Sequence, residues 1–503
     1  MTASRDPVNR AVRNIRRGPR PMNDDNRYQS PLAMRSASPA MLGIWSPRRK
    51  FTTWRRLWLA LAEAQQQLGL DITDTQLAEM RRHLDDLDLP KAAEYEKQLR
   101  HDVMAHVHAF ADIAPAARPI IHLGATSQFV NCNTDLLLIR ESLRLIAAKL
   151  ANVIDHLATF AQQYRDLPTL GFTHFQPAQP TTVGKRATLW AADFALALEE
   201  IEHRLDTLRF RGVKGTTGTQ ASFLALFGGD TPQAHKKVEQ LDRLVTEKMD
   251  WPADMRFPVT GQTYPRLVDG QVIASLATAA TAAAKFATDM RLLAHMKELE
   301  EPFEASQVGS SAMPYKRNPM RCERICGLAR FVIGMVQVPF VTAAEQWLER
   351  TLDDSSTRRL SLPEPFLALD GLLDVAVNVT SGIVVYPKRI AANLAAELPF
   401  MASENILMAA VQTGADRQQV HEIIRQHAQA AADRVKQEGA DNDLLERLKS
   451  DPAFADIDVD AQLDPAKFIG RAPQQVDQFI ADVVTPIRKR YAGSLGQQVE
   501  LTV

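Results

Sequence analysis

Apolar side chains fall at Leu136, Ile139, Leu143, Ile146, Leu150, Val153, Leu157, Phe160 and Tyr164, in steps that alternate between three and four. On a helix that spacing lines up one face, so 134–164 is predicted as a single helix of about four heptads, roughly 40 Å long. Val183, Ala187, Trp190, Phe194, Ala197, Ile201 and Leu208 draw a second seam over 181–210, with Arg204 its one polar interruption. Ile273, Leu276, Ala280, Ala283, Ala287, Met290 and Ala294 draw a third over 266–297. Its small side chains let neighbouring backbones approach, which places this helix in the middle of a bundle. Strand-like alternation is scarce, so the chain reads as all-α. Three long seams exceed what one bundle face needs. The surplus is expected to pack on further copies of the chain, and no fixed-period repeat supports a solenoid instead.

Shorter helical patterns over 51–69, 74–88 and 91–112 are broken by Pro90, Pro115 and Pro119. From about 386 onward, amphipathic pieces alternate with polar loops such as 438–443. The chain therefore divides into an N-terminal helical domain (28–126), a central long-helix domain (127–385) and a C-terminal helical domain (386–503). Ahead of them, residues 1–20 hold six Arg against Asp6, a local charge of +5 in a chain whose net charge is −1. That stretch has no apolar run of about seven residues, so it is not a secretory signal. Residues 1–27 read as a disordered basic extension or as translation from a start upstream of Met22, with a transit peptide as the third reading. The overall charge balance argues against a protein that coats nucleic acid or an anionic membrane. The uncharged stretch 270–284 is shorter than the roughly 20 apolar residues of a span, so no transmembrane helix is expected. Three cysteines, Cys132, Cys322 and Cys326, cannot build a disulfide framework, which points to a reducing, cytoplasmic setting.

Four segments escape the helical period and concentrate reactive side chains. They are 100–102 with Thr126-Ser127, 171–177 around His174, 309–319 reading GSSAMPYKRNP, and 350–359. In the third, a glycine, two hydroxyls, Lys316, Arg317 and Asn318 sit between stiffening prolines. Such a loop suits a carboxylate and the charge that develops on it, or else is a polar loop that caps the next helix. His174, flanked by Thr173 and Gln176 ahead of Pro177, is either an acid–base group or a structural histidine. His101, His106 and His108 lack the i, i+4 spacing and the neighbouring Cys or HExxH pattern of a metal site. Gly212, Gly215 and Gly218 follow no strand and read as a turn. Gly184-Lys185-Arg186 lacks the Ser/Thr of a phosphate loop.

GSSAMPYKRNP resembles the signature loop of the fumarase/aspartase superfamily. Within it, residues 173–179, Lys185-Arg186, 211–220, 100–108 and 350–355 are similar to the animal-type, adenylosuccinate-cleaving branch. The likeness runs from about residue 28 to near 490. It implies a three-domain fold whose central helices form a twenty-helix core in a homotetramer, each active site drawing on three subunits. It implies β-elimination of fumarate from adenylosuccinate, giving AMP. It also implies the same cleavage of the succinylaminoimidazole carboxamide ribotide, giving AICAR, in purine biosynthesis. No metal or other cofactor, nucleic acid or membrane is implied. By the same resemblance Ser310 is the base, His174 the acid and Glu323 the carboxylate that orients the histidine. Lys316, Asn318, Thr126, Ser127 and Gln262 hold the succinyl carboxylates. Arg35, Arg324, Arg350, Ser355 and Arg359 grip the nucleotide and its phosphate, with Arg100, His101, Asp102 and Ser36 also lining the site. The family's Arg-Tyr pair is here Arg35-Ser36, a departure that removes a phenol. A sister lyase acting on argininosuccinate, fumarate/malate or aspartate, and a non-catalytic packing relative, are the competing readings. The Arg set argues against the first, the intact Ser310, His174, Glu323 and Lys316 against the second.

Overall fold

The three seams become the three longest helices of the computed structural model, which describes residues 28–503 apart from 305, 306, 314, 498, 500, 502 and 503. The Arg-rich extension expected at 1–27 lies outside the described residues. In chain order the helices are α1 (Pro39–Ile44), α2 (Pro47–Gln67), α3 (Asp74–Arg82), α4 (Leu89–Leu99), α5 (Asp102–Ile113) and α6 (Ser127–Gln163). After a hairpin of β1 (Pro168–Thr173) and β2 (Gln176–Thr182) come α7 (Val183–Thr207), α8 (Ala221–Leu226), α9 (Pro232–Lys248) and α10 (Leu267–His295). Strand β3 (Leu299–Glu300) is followed by α11 (Met320–Gly334), α12 (Gln337–Ala344), α13 (Asp354–Ser361), α14 (Pro363–Ser381) and β4 (Val384–Val385). The C-terminal helices are α15 (Pro387–Met401), α16 (Ser403–Gln412), α17 (Arg417–Asp433), α18 (Leu444–Ser450), α19 (Ala472–Phe479) and α20 (Thr485–Arg490).

At 37 residues, α6 is about 55 Å long. From Leu136 to Leu157 every residue of its seam is fully buried, where it meets α7 and α14. Arg204, the polar interruption of the second seam, donates to Gln271 of α10 at 3.0 Å and so ties the two helices at their margin. Helix α14 has no counterpart among the predicted elements. Fourteen of its 19 residues are buried, including the charged Asp370, so it lacks the polar face that gives a helix its period. The predicted helix at 91–112 is two helices. Arg100 takes a left-handed conformation at φ 54°, and the extended His101 caps α5 by accepting the Met104 N–H on Nδ1 at 3.3 Å. The predicted 74–88 helix stops at Arg82. The buried Arg55 instead takes the His83 and Asp86 carbonyls at 2.5 and 2.9 Å and holds that stretch as a loop. A separate apolar cluster forms among α16–α18 with Phe454 and Val459, while Val476, Val484 and Ile487 return to the main core.

Among the described residues two helical stretches are by themselves long and apolar enough to cross a membrane, Leu267–His295 and Met320–Ala344, an outcome not anticipated from 270–284 alone. The most apolar 18-residue window of the first is 61% buried inside the protein, and that of the second only 22%. Helices α11 and α12 thus leave Phe331, Ile333, Phe340 and Val341 in the open, with Trp347 and Leu348 just beyond.

Candidate active site

Each reactive segment sits at a helix end or a tight turn, where backbone groups and side chains are left pointing outward. The N-terminus of α6 is one such place. Thr126 occupies its cap position without a side-chain bond to the helix, and Ser127 follows as the first helical residue. His101 lies against them. With Nδ1 accepting from Met104, the neutral ring carries its proton on Nε2, 3.3 Å from Ser127 Oγ. The adjacent Asp102 reaches Arg359 of α13 at 3.9 Å, which connects the 100–102 and 350–359 segments. Gln262 donates its backbone N–H to the Glu349 carbonyl at 3.1 Å, beside Arg350. Four of the expected residues, from three distant segments, are therefore neighbours: His101, Asp102, Ser127 and Arg359. Arg100 stays exposed at the end of α4.

A cavity of about 190 Å³ opens between these segments, and Asp102, Arg350, Ser355 and Arg359, all singled out in the sequence, are in its wall. Asp354 and Arg358 of the 350–359 segment also line it, together with three residues not singled out in the sequence, Lys50, Asp135 and Arg266. Two of the five cations serve the frame. The buried Arg358 donates to Asp269 at 2.7 Å, Asp135 at 2.9 Å and Tyr264 at 2.5 Å. Burial opposes its charge, yet Asp269, Tyr264 and Asp135 hold it protonated well above the ordinary guanidinium value. Arg266 donates to Asp354 at 2.7 Å, and the same carboxylate receives Arg350 at 2.8 and 2.9 Å. Asp354 thereby orients Arg350 into the cavity. Burial pushes Lys50 below the ordinary lysine value against the pull of Asp135 and Asp102. With Arg359 two-thirds exposed at the rim, the wall holds five cations against three carboxylates, a setting for an anion. Its volume is below the roughly 300 Å³ at which pockets for drug-sized ligands begin.

The signature loop stands apart from this cavity. Gly309 is not at positive φ. Its need is close approach, since a Cβ there would lie 2.0 Å from the Lys316 carbonyl oxygen. Asn318 Nδ2 donates to the Gly309 carbonyl at 2.8 Å and closes the neck. Inside the loop Ser310 Oγ accepts the N–H groups of Ala312 at 3.3 Å and Met313 at 3.1 Å. Two donors aimed at one hydroxyl oxygen favour its deprotonated form. Lys316 is exposed on the same loop, which runs into α11 with Glu323 exposed in the first turn. The orphan N–H groups of that turn are taken by the buried Glu301, which accepts from Arg321 and Cys322 at 3.0 Å each. Arg324 is near enough to Arg35 for the two guanidiniums to act on each other. Burial, Arg35 and Arg321 all lower Arg324 from its ordinary value.

His174 is at the tip of the β1–β2 hairpin. Thr173 pairs with Gln176, so the turn is His174-Phe175 alone, with φ 54° and 57°. Two positive-φ residues match the mirror-image hairpin turn usually built from Asn-Gly. Neither residue here signals it. Gly171 creates the bulge behind the tip, where a Cβ would strike the Gln179 carbonyl at 2.4 Å. Arg186 of α7 donates to the Leu170 carbonyl and braces the hairpin base. The ring of His174 is exposed. Among the described residues no hydrogen bond or ion pair joins His174 to Ser310, or either of them to the cavity wall. The glycines of 212–218 form the expected turn. All three have positive φ, and Asp242 holds the turn through Val213 N–H and Lys214 Nζ, both at 2.6 Å.

The class follows from fold and family together. The family described as Lyase matches residues 34–334, and a second, described as Adenylosuccinate lyase C-terminus, matches 399–479. The chain is 52% identical over 488 residues to adenylosuccinate lyase of Saccharomyces cerevisiae, covering 96% of this chain and 100% of that one. It is 52% identical to the Schizosaccharomyces pombe enzyme of that name, covering 91% and 95%, and 46% identical to that of Schistosoma mansoni, covering 96% and 100%. Among solved structures, 3-carboxy-cis,cis-muconate lactonizing enzyme of Pseudomonas putida superposes with a TM-score of 0.79 at 24% identity, over 92% of this chain and all of that one. A fumarate lyase of Mesorhizobium superposes at 0.75 and 22%, over 91% and 100%, and both show the fold alone. The protein is an enzyme of the lyase class with the fumarase/aspartase fold. Within that class, the chain belongs to the adenylosuccinate lyase family.

Proposed function

We propose that the protein cleaves adenylosuccinate to AMP and fumarate, and the related succinylaminoimidazole carboxamide ribotide to AICAR and fumarate, in purine biosynthesis. The observation that carries the proposed mechanism is the pair of backbone N–H groups on Ser310 Oγ. A serine is a base only when its alkoxide is stabilised, and those donors with Lys316 supply the stabilisation. The alkoxide takes the proton from the carbon beside one succinyl carboxylate. The freed electron pair is held as an aci-carboxylate by Lys316, Asn318 and the α6 N-terminus at Thr126-Ser127, with Gln262 alongside. It then returns to form the double bond of fumarate as the C–N bond breaks. Protonated His174, oriented by Glu323, delivers its proton to the leaving nitrogen. The cavity of Arg350, Ser355 and Arg359 holds the phosphate, with Arg35 and Arg324 gripping from the other segment, and Arg100, His101, Asp102 and Ser36 completing the lining. The carboxylate is the electron sink, so the reaction is expected to need no metal or other cofactor.

Three groups of reactive residues lie apart on one chain, and α11–α12 carries an uncovered apolar face. Both features support a homotetramer that brings His174, Ser310 and the phosphate cavity of different subunits into each site. The same apolar face, as a subunit interface, needs no membrane. The three free cysteines support a cytoplasmic setting. Purified protein mixed with adenylosuccinate should release fumarate and AMP, followed by ultraviolet absorbance, with no metal added. Absence of both products sinks the reading, and activity abolished by a chelator sinks its metal-free part.

A further inference from the structure

Residues Leu32–Ser36 form a short π-helical turn that ends in Arg35 and Ser36 and lies on the middle of α14. The approach is close. A Cβ at Gly371 would sit 2.5 Å from the Ser36 carbonyl oxygen and 2.7 Å from its carbon. One residue earlier on α14, Asp370 is fully buried and divides its two oxygens. Oδ2 accepts the Ser38 backbone N–H at 2.6 Å, and Oδ1 accepts Lys149 Nζ of α6 at 2.5 Å. Lys149 is itself buried, pairs also with Asp374 at 2.5 Å, and donates to the Asp370 main-chain carbonyl at 3.3 Å. Buried ion pairs are poor sources of net stability, because apolar residues of the same volume do as well. What this pair supplies is geometry: a carboxylate locked from below by an ammonium turns its second oxygen to the chain segment that carries Arg35.

We propose that Lys149, Asp370 and Gly371 form a dock that fixes residues 32–38, and that they are positioning residues for Arg35 and hence for the substrate's phosphate. This rests on the reading of Arg35 as a phosphate ligand. The dock acts on the nucleotide end of the substrate and leaves the proton transfers at Ser310 and His174 untouched. A positioning residue of this kind changes binding of the ground and transition states alike, so KM rises while kcat stays.

The test uses the full-length enzyme. In Asp370→Asn the amide must turn its NH2 either to Lys149 or to the Ser38 N–H, so one of the two contacts is lost, while Asp374 remains to neutralise Lys149. The expected result is a KM for adenylosuccinate raised about tenfold, the scale of one lost charge-assisted contact, with kcat within about threefold. Faster deuterium exchange in the peptide covering 32–38 should accompany it. Gly371→Ala, in which alanine favours the helix but its Cβ displaces Ser36, should do the same. Arg35→Ala should raise KM by itself, and adding Asp370→Asn to it should raise KM no further. Unchanged KM and exchange in both dock variants overturn the proposal. So does a loss of kcat together with thermal stability, or additivity in the double variant. If Arg35→Ala leaves KM unchanged, the phosphate role of Arg35 falls instead, and exchange at 32–38 then decides the dock by itself.

Discussion

Ser310 presents its Oγ to two backbone N–H groups in a loop closed at the neck by Asn318 and the Gly309–Lys316 contact. Replacing the hydroxyl removes the proposed base and leaves the neck. Ser310→Ala is therefore expected to cut kcat by at least about 10²-fold, the usual scale for an acid–base group, and His174→Ala to do likewise. Near-normal kcat in either variant takes that residue out of its role. Ser36 bears on binding instead. Its side chain lacks the family's phenol beside Arg35, so Ser36→Tyr is expected to lower KM modestly. An unchanged or raised KM in steady-state assays counts against a phenol contact. Most of these residues were legible because the signature loop and the 171–177 stretch are local motifs. Lys50, Asp135 and Arg266 were not, because each is one charged residue in a helix or beside one. They become wall residues only when α2, α6, α10 and α13 converge.

Among the elements, α2 and the segments packed on it carry a pH dependence. Trp58 Nε1, which can only donate, donates its N–H to His122 Nδ1 at 2.9 Å. Protonating that nitrogen breaks the bond. Burial, with a smaller push from His101, lowers His122 to about 4. Burial and Arg55 lower His106, stacked on Phe51 at 3.7 Å between ring centres, to about 4 as well. Both folded values lie below the unfolded value near 6.5, so the unfolded chain binds more protons between them. Stability is fully present above about pH 6.5 and is lost as pH falls toward 4. Melting temperatures recorded across that interval should decline together with pH. A flat profile would show that neither ring titrates with unfolding. At this scale the amphipathic helices were legible from their period, and the failures are equally physical. Helix α14 has no polar face to create a period, and the α4–α5 break rests on a histidine cap. The His174 turn adopts a mirror-image geometry with no Gly or Asn to announce it.

For the whole molecule, the distribution of reactive groups matters more than any one contact. One chain presents a cation-lined cavity, a loop whose serine accepts two backbone N–H groups and an exposed histidine tip, with an open apolar face on α11–α12. If sites are shared between subunits, His174→Ala and Ser310→Ala proteins dissociated and reassembled together should recover part of the activity. Some hybrid sites then hold both intact groups. No recovery, with hybrid oligomers verified by mass, argues for a site built within one chain.

The sequence by itself determined the long helices, the family signature and most of the candidate acid–base and cationic residues, because those properties are written in short-range periodicity and in contiguous motifs. Tertiary structure decided which cations face the cavity and which are spent on Asp269, Asp135 and Asp354. It also decided where Arg35 rests and that His174 and Ser310 stand apart on one chain. Those outcomes depend on burial and on contacts between segments up to hundreds of residues apart, which no local pattern encodes.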